Sequence, residues 1–415
     1  MKSSLLKFSV VYTLDKILGF FSPLILLLLG RVELYASIEL LIAFSLIVIP
    51  FADLGTRAYL GYSFKRFGVV EFKSLDLLLA SAAGIFAFIW LLFSVASDMS
   101  FILALCIFRV LHVIYFQYYQ YRGRLWGKVL APIYLNLICN MVSVFVFLIF
   151  FFMFPGLSDT FLLALMVVTP AVLFIGRIVI LRLRKFELLP KLSLKGAQDV
   201  LGSARVSLLF AWPTILNAFL VLGMANYTKI FVEQKFSLDM MASYSFDFRL
   251  SMLVFLAHSL MSAYFNKFLI LSTEAKKILT LYFSYAFFLV LLSSLVFILA
   301  RVFGTYISFD LLVSSESRVS IFVYTIFWCM AAFWEVIFIR MGRPKYIVVG
   351  SLTFCASLCV QLFGLVITSP ADVAMALAVS SFLNLVTNIS FIAYGYRKRC
   401  YKIFHEKYKI LGRLF

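Results

Sequence analysis

Residues 129–158 read VLAPIYLNLICNMVSVFVFLIFFFMFPGLS, a stretch without Lys, Arg, Asp or Glu. About 20 apolar residues in a helix are enough to cross the hydrocarbon core of a bilayer. Five further windows of 20 residues or more are free of these four residue types: 77–97, 206–228, 278–300, 346–371 and 373–396. Membrane β-barrel strands alternate apolar and polar residues, so uninterrupted runs argue against them. The chain is therefore predicted to be an all-α integral membrane protein.

The whole composition agrees with a chain that lives in a bilayer. Of its 415 residues, 64% are apolar and only 13% are charged, whereas a soluble protein carries about 25% charged residues. Hydropathy and turn residues predict twelve spans: 10–29, 38–56, 77–97, 99–120, 129–154, 160–182, 206–232, 241–264, 279–301, 319–339, 346–368 and 371–395. Twelve spans leave short loops only, with no room for a soluble catalytic domain. We predict that the chain is not an enzyme.

The chain shows no motif for a cofactor, a metal or nucleic acid. Cys355 and Cys359 share a helix face, but no nearby His or further Cys completes a zinc site. No phosphate-binding glycine loop or nucleophile elbow occurs. The net charge of +18 is a property of the loops, so it favours anionic membrane lipids as a partner rather than nucleic acid. We therefore predict no cofactor and no metal site.

The distribution of positive charge predicts the topology, because cytoplasmic loops retain Lys and Arg. Alternate loops and the two ends together hold 28 of the 37 basic residues. The opposite loops hold only four: Arg31, Lys235, Arg301 and Arg318. Both termini are therefore predicted to be cytoplasmic.

A basic connection near the middle divides the chain into six plus six spans. We predict an N-terminal six-helix lobe over 1–182, a cytoplasmic linker over 183–205, a C-terminal lobe over 206–396 and a basic tail over 397–415. Intramembrane charge falls on corresponding spans, namely one and seven, two and eight, and four and ten. Such charges must face a bundle interior or a water-filled cavity. Two lobes around a central cavity, with the binding site near the midplane, are typical of transporters built from repeats.

The charged residues within the spans are the candidate site. Five of them are basic and three acidic, a positive balance that favours an anionic cargo, with Arg forming bidentate contacts to phosphate. The five basic candidates are Lys16, Arg109, Arg177, Lys229 and Arg249. Arg57, near the cytoplasmic end of the second span, is a further basic candidate. The candidates for ion coupling are Asp15, Asp247, Glu335 and His112.

Each assignment has an alternative. Arg109 and Arg249 lie deepest, and their alternative is an internal ion pair with Asp247 or Asp15. Arg177 and Lys229 lie near span ends, where snorkelling to the interface would account for them. His112 either transfers protons or simply forms an ordinary polar contact. Three Asn pairs suit sugar hydroxyls or interhelical hydrogen bonds: Asn136 and Asn140, Asn217 and Asn226, Asn384 and Asn388.

Three segments resemble a known family. The span ending in Asp53-Leu54-Gly55, followed by Arg57 and Tyr62, resembles the second span of polysaccharide exporters. Gly342-Arg-Pro-Lys-Tyr346 is similar to the turn before their eleventh span, and Phe116-Gln117 with Arg122-Gly-Arg124 to the end of their fourth. With the twelve-span layout, the chain resembles a Wzx-type O-antigen flippase, in the polysaccharide transporter family of the multidrug/oligosaccharidyl-lipid/polysaccharide exporter superfamily. It departs from that family in the opening of its twelfth span, where Ala371–Ala378 has no glycine.

The resemblance implies a function. Such flippases move undecaprenyl-diphosphate-linked oligosaccharides from the inner to the outer leaflet of the bacterial inner membrane by alternating access, often coupled to an ion gradient. A polysaccharide polymerase and a chain-length regulator are the implied protein partners. A multidrug or toxin exporter of the same superfamily, usually with cationic cargo, is the main alternative. A polytopic O-antigen polymerase is the enzymatic alternative, although the longest outer loop, about 302–318, lacks an obvious His or carboxylate constellation.

Overall fold

A computed structural model describes residues 2–53, 72–95, 100–125, 130–184, 205, 211–271, 275–307, 316–340 and 345–397. These residues form twelve helices, and no strand occurs among them. The helices are α1 (Lys2–Leu28), α2 (Val32–Ala52), α3 (Phe72–Val95), α4 (Ser100–Leu125), α5 (Leu130–Met153), α6 (Asp159–Arg184), α7 (Ala211–Lys235), α8 (Leu238–Leu271), α9 (Ala275–Ile307), α10 (Arg318–Arg340), α11 (Lys345–Gly364) and α12 (Pro370–Arg397).

The all-α membrane fold predicted from the sequence is confirmed. Eleven of the described helices are long and apolar enough to cross a membrane, and α3 contributes a shorter apolar stretch, Ala83–Leu92. The predicted start of the second span at residue 38 was wrong. α2 begins at Val32, because Gly30 ends α1 and the chain re-enters a helix after a single further residue. This places Glu39 inside the helix instead of at its end.

Two helix ends show how local sequence sets these boundaries. Gly30 adopts a φ of 72°, the left-handed conformation that glycine tolerates best. The amides of Gly30 and Arg31 then donate to the carbonyls of Leu27 and Leu26, which satisfies the last turn of α1.

At the start of α12, Asp372 Oδ2 accepts from the amides of Thr368 and Ser369. The Asp372 amide lies 3.3 Å from Ser369 Oγ and completes a capping box before Pro370.

The helices group into two compact units, Met1–Ile230 and Phe231–Phe415. In the first unit α4 packs against α2, α3, α5 and α6, and α1 packs against α2 and α5. In the second unit α10 packs against α8, α9, α11 and α12. Each helix pair that packs among α2–α6 has a counterpart six helices later. This recurrence supports two related halves.

Burial separates inner helices from those that face lipid. In α2, 67% of the apolar window is buried inside the protein, whereas in α5 and α9 only 22% is buried. Large side chains such as Phe145 on α5 and Phe287 on α9 are exposed, as expected for helices that contact acyl chains. Inner helices instead share cores, for example Ile49, Leu79 and Ile114 from α2, α3 and α4.

The predicted linker over 183–205 lies almost entirely outside the described residues, so the domain boundaries remain a prediction. The seventh span belongs for most of its length to the first compact unit, which ends at Ile230 inside α7. The basic tail over 397–415 lies beyond Arg397, the last described residue. The arrangement of the two predicted lobes around a central cavity remains a prediction as well.

Candidate functional site

A buried hydrogen-bonded network links three helices of the first unit. Asn136 Nδ2 on α5 donates to Asp15 Oδ1 on α1 over 2.6 Å. Since the amide N–H groups point at the carboxylate, Asn136 Oδ1 faces His112 on α4, whose Nε2 lies 2.9 Å away. His112 is therefore the donor of this second bond, and its ring also lies 5.3 Å from that of Phe174 on α6. The network runs His112 to Asn136 to Asp15, and all three residues are buried.

Lys16 extends this network towards an aromatic patch. Its Nζ lies 3.8 Å from Asp15 Oδ2 and about equally close to two rings, 5.3 Å from Tyr12 and 5.7 Å from Phe116. The Lys16 side chain remains 40% exposed, so its charge is accessible while Asp15 is enclosed. Phe116 is the aromatic residue of the family-like Phe116-Gln117 pair. The Lys16 ammonium is attracted both by the two ring faces and by the neighbouring carboxylate.

Arg109 lies one turn before His112 on α4. Nine residues of helix precede it, which puts it about 14 Å from the start of α4. Four helices of the first unit, α2, α3, α5 and α6, pack against α4. The Arg109 side chain is half-buried at this depth.

An ion pair that the sequence did not predict joins α2 to α7. Lys229 Nζ lies 2.9 Å from Glu39 Oε2, and the two side chains are 6% and 1% exposed. Lys229 was a candidate cargo contact, with snorkelling as its alternative. The structure instead places the Lys229 ammonium against a carboxylate inside the first unit. The sequence did not single out Glu39, because it is only the second residue of the predicted second span, where a charged residue is easily assigned to the loop.

A second buried carboxylate cluster lies in the second unit. Asp247 on α8 accepts from Arg318 Nε over 2.8 Å and from Ser317 Oγ over 2.7 Å. Arg318 was assigned to an outer loop, whereas the structure buries it as the first residue of α10. Arg249 is also buried, two residues after Asp247 on α8. Asp247 thus has Arg318 as a partner and Asp15 has Lys16, whereas the sequence had suggested Arg109 and Arg249 as the partners of these carboxylates.

The other candidates are more scattered. Arg177 is exposed near the end of α6, and Glu335 is half-buried in α10. Arg57, Leu54, Gly55 and Tyr62 lie outside the described residues. Of the three family-like segments, the described parts are Asp53 at the end of α2, the run of α4 up to Leu125, and Lys345 with Tyr346 at the start of α11.

A polar contact between α11 and α12 adds to the buried polar residues of the second unit. Asn384 and Asn388 lie one turn apart on α12 and are 2% and 0% exposed. Their amide oxygens converge on Gly350 of α11, at the position that a Cβ would occupy. In the part of the chain that is described, neither oxygen has a hydrogen-bond donor. Both amides thus lie at the contact between α11 and α12.

Opposite charges at equal depth were the signal that would have found the pair of Glu39 and Lys229. Glu39 is the eighth residue of α2, and Lys229 precedes the end of α7 by six residues. Both ends were predicted to lie on the extracytoplasmic side, so the two side chains share a depth of about 10 Å. Hydropathy is averaged over each span separately, so it does not compare the depths of charges on different spans.

Comparison with known proteins identifies the fold. No protein-family model matches the sequence, and no curated protein is detectably similar to it. An inward-facing multidrug resistance MATE family transporter of the MOP superfamily matches with a TM-score of 0.61 at 13% identity, over 95% of both chains. An outward-facing transporter of the same description gives 0.60 at 11% identity, over 96% of this chain and 94% of that one.

A eukaryotic MATE transporter, AtDTX14, also matches, with a TM-score of 0.54 at 13% identity over 96% and 95% of the two chains. The chain is thus a multi-pass membrane protein with the fold of these transporters. That fold has twelve transmembrane helices, the number predicted from the sequence.

Proposed function

We propose that this protein is a flippase for polyprenyl-diphosphate-linked oligosaccharides, of the Wzx type, in a bacterial inner membrane. The transporter fold supports membrane transport in general. The cargo class follows from the charges within the helices. Glu39 and Arg318 are two buried residues outside the five basic and three acidic groups counted from the sequence, and they have opposite charges, so adding both leaves that balance positive.

Arg109 is the observation that carries the proposal. A guanidinium about 14 Å along α4 is expensive to hold at that depth unless it serves a polar partner. An arginine offers a planar pair of N–H groups that match two phosphate oxygens. A diphosphate with sugars cannot enter 30 Å of hydrocarbon unaided. A cationic lining would replace its water, while the polyprenyl tail stays in lipid.

Lys16 is the second basic group of the same unit that is accessible to an anion. Its contacts with Tyr12 and Phe116 add aromatic faces of the kind on which sugar rings stack. Arg57, which the sequence places at the cytoplasmic entrance, and Arg177, Lys229 and Arg249 complete the proposed set of cargo contacts. Asp15, His112, Asp247 and Glu335 are the proposed coupling residues.

The experiment is a flipping assay in proteoliposomes that contain a short undecaprenyl-diphosphate-linked oligosaccharide. R109Q should lower the flipping rate about tenfold or more, because a charge-assisted hydrogen bond contributes about 1.5–3 kcal/mol. R301Q is the matched control, since Arg301 is exposed near the end of α9. Equal rates for R109Q and the unmodified protein would remove Arg109 from the cargo site.

A multidrug exporter is the second candidate, because two of the MATE transporters with a similar fold are multidrug resistance transporters. Such an exporter would raise the resistance of a sensitive strain to cationic dyes such as ethidium. A deletion strain separates the two candidates. Accumulation of undecaprenyl-linked repeat units on the cytoplasmic leaflet supports the flippase, whereas dye sensitivity without such accumulation supports the exporter.

A further inference from the structure

Helix α7 carries two unusual features close together. Phe219–Gly223 form a π-helical turn, and the buried Lys229 to Glu39 ion pair follows within two turns. Single π turns inside an α-helix weaken its regular hydrogen bonding and often occur at functional sites. α7 is thereby divided into an inner segment, Ala211–Ala218, and an outer segment, Met224–Lys235.

α2 contacts α7 at the start of this π turn and again beyond it. At the start of the turn, the rings of Phe51 and Phe219 lie 4.8 Å apart in an edge-to-face contact. On the outer side, Glu39 holds Lys229 at 2.9 Å. Gly223 allows the Phe219 ring to fold back, since a Cβ there would lie 3.2 Å from that ring. The aromatic contact is apolar and insensitive to charge, whereas the outer contact depends on an anion.

The outer segment is also where the chain leaves the first compact unit. The division falls after Ile230, one residue beyond Lys229. A contact at this point therefore fixes the last part of α7 that belongs to the first unit.

We infer that the Glu39 to Lys229 pair is a latch on the extracytoplasmic end of α7, hinged at Phe219–Gly223 and released when a phosphate anion replaces Glu39 at Lys229. This inference rests on the proposed function for the identity of the anion, and on the ion pair and the π turn for the latch. In the closed state, the Glu39 carboxylate occupies the place at Lys229 that a cargo phosphate would take. Exchange of one anion for another keeps Lys229 neutralised, which avoids the large penalty of a buried unpaired charge. The cargo shifts α7 from its closed state because the phosphate competes with Glu39 for Lys229.

Hydrogen exchange over residues 224–235 tests the latch in nanodiscs. E39Q should raise the exchange rate of this segment severalfold, because Lys229 loses its anion. The charge swap E39K/K229E should return the exchange to the level of the unmodified protein, since the pair is rebuilt in reverse. E33Q is the matched control, because Glu33 is exposed on the same helix and its loss leaves the pair intact. Thermal unfolding of each variant in detergent establishes that it is folded.

Inorganic pyrophosphate tests the displacement. It should raise exchange over 224–235 in the unmodified protein and have no further effect on E39Q, while equimolar chloride has none on either. Unchanged exchange in folded E39Q would overturn the latch. Loosening by E39Q without a response to pyrophosphate would overturn the release by phosphate.

The proposed function fails separately from the latch. A protein that responds to pyrophosphate and loosens with E39Q, yet flips no lipid-linked oligosaccharide, would keep the latch and overturn the flippase. Flipping that continues at an unchanged rate in E39Q and in K229Q, with unchanged exchange in both, would keep the flippase and overturn the latch.

Discussion

Arg318 Nε donates to Asp247 Oδ1 over 2.8 Å, and this contact joins the first residue of α10 to the N-terminal half of α8. The two side chains are 3% and 0% exposed, so each charge depends on the other. Ser317 Oγ donates to the second carboxylate oxygen and completes the cluster. The start of α10 is thus set by a carboxylate 71 residues earlier in the chain.

Removal of one charge from this pair should destabilise the protein strongly. D247L leaves the Arg318 guanidinium buried beside an apolar group, and we expect a loss of about 3–5 kcal/mol in the free energy of unfolding. D247L/R318L removes both charges and should recover most of that loss. S317A should cost about 1 kcal/mol. Thermal unfolding in detergent measures all three, and equal losses in the single and double variants would contradict a paired cluster.

A side chain at position 350 should clash with α12 at the contact between α11 and α12. An alanine there would place its Cβ against the amide oxygens of Asn384 and Asn388, both of which are fixed in a buried position. We expect G350A to lower stability by about 1–3 kcal/mol, as overpacking does in other cores. G364A is the control, because its Cβ would meet only Val360 Cγ1 at 3.9 Å. G350A/N384A/N388A should regain stability if the clash with the amides is the cause.

Gly30 predicts a conformational effect. Its φ of 72° is strained for any residue with a Cβ, although the space around it is open. G30A should therefore cost about 1 kcal/mol, and G30N less, since asparagine tolerates this region better than alanine. G19A, in the middle of α1 with open space around it, should instead be neutral or stabilising. A neutral G30A would show that the α1–α2 turn relaxes.

The sequence predicted the helices well and their partners poorly. The runs without charge around residues 129–158 and 373–396 fix helices because each satisfies its own backbone within one segment. The pairing of Glu39 with Lys229 depends on residues 190 positions apart, and no local pattern encodes it. Arg318 was misplaced for a related reason. Hydropathy assigns a charged residue at a span end to the loop, whereas a buried carboxylate on another helix can hold it inside.

The network in the first unit was predicted only in part. Asp15 and His112 were singled out as charged or titratable groups within spans, but their link through Asn136 needs the packing of α1, α4 and α5. Asn136 itself was considered for sugar contact or interhelical bonding. The structure supports the second role, because both ends of its amide are engaged within the unit.

The Asp15 carboxylate predicts how transport would depend on an ion gradient. D15N keeps a side chain of the same shape that can still contact Asn136, but it removes the negative charge that would bind a proton or a monovalent cation. We expect gradient-driven flipping to fall about tenfold or more, while binding of the cargo changes by less than about twofold, since Lys16 keeps its charge. H112Q should have a smaller effect, because a glutamine amide can also donate to Asn136 Oδ1. Proteoliposomes with an imposed proton or sodium gradient provide the rates, and binding is measured without a gradient. If D15N flips cargo at the normal rate under either gradient, Asp15 has no role in coupling and its contact with Asn136 serves the packing of α1 on α5.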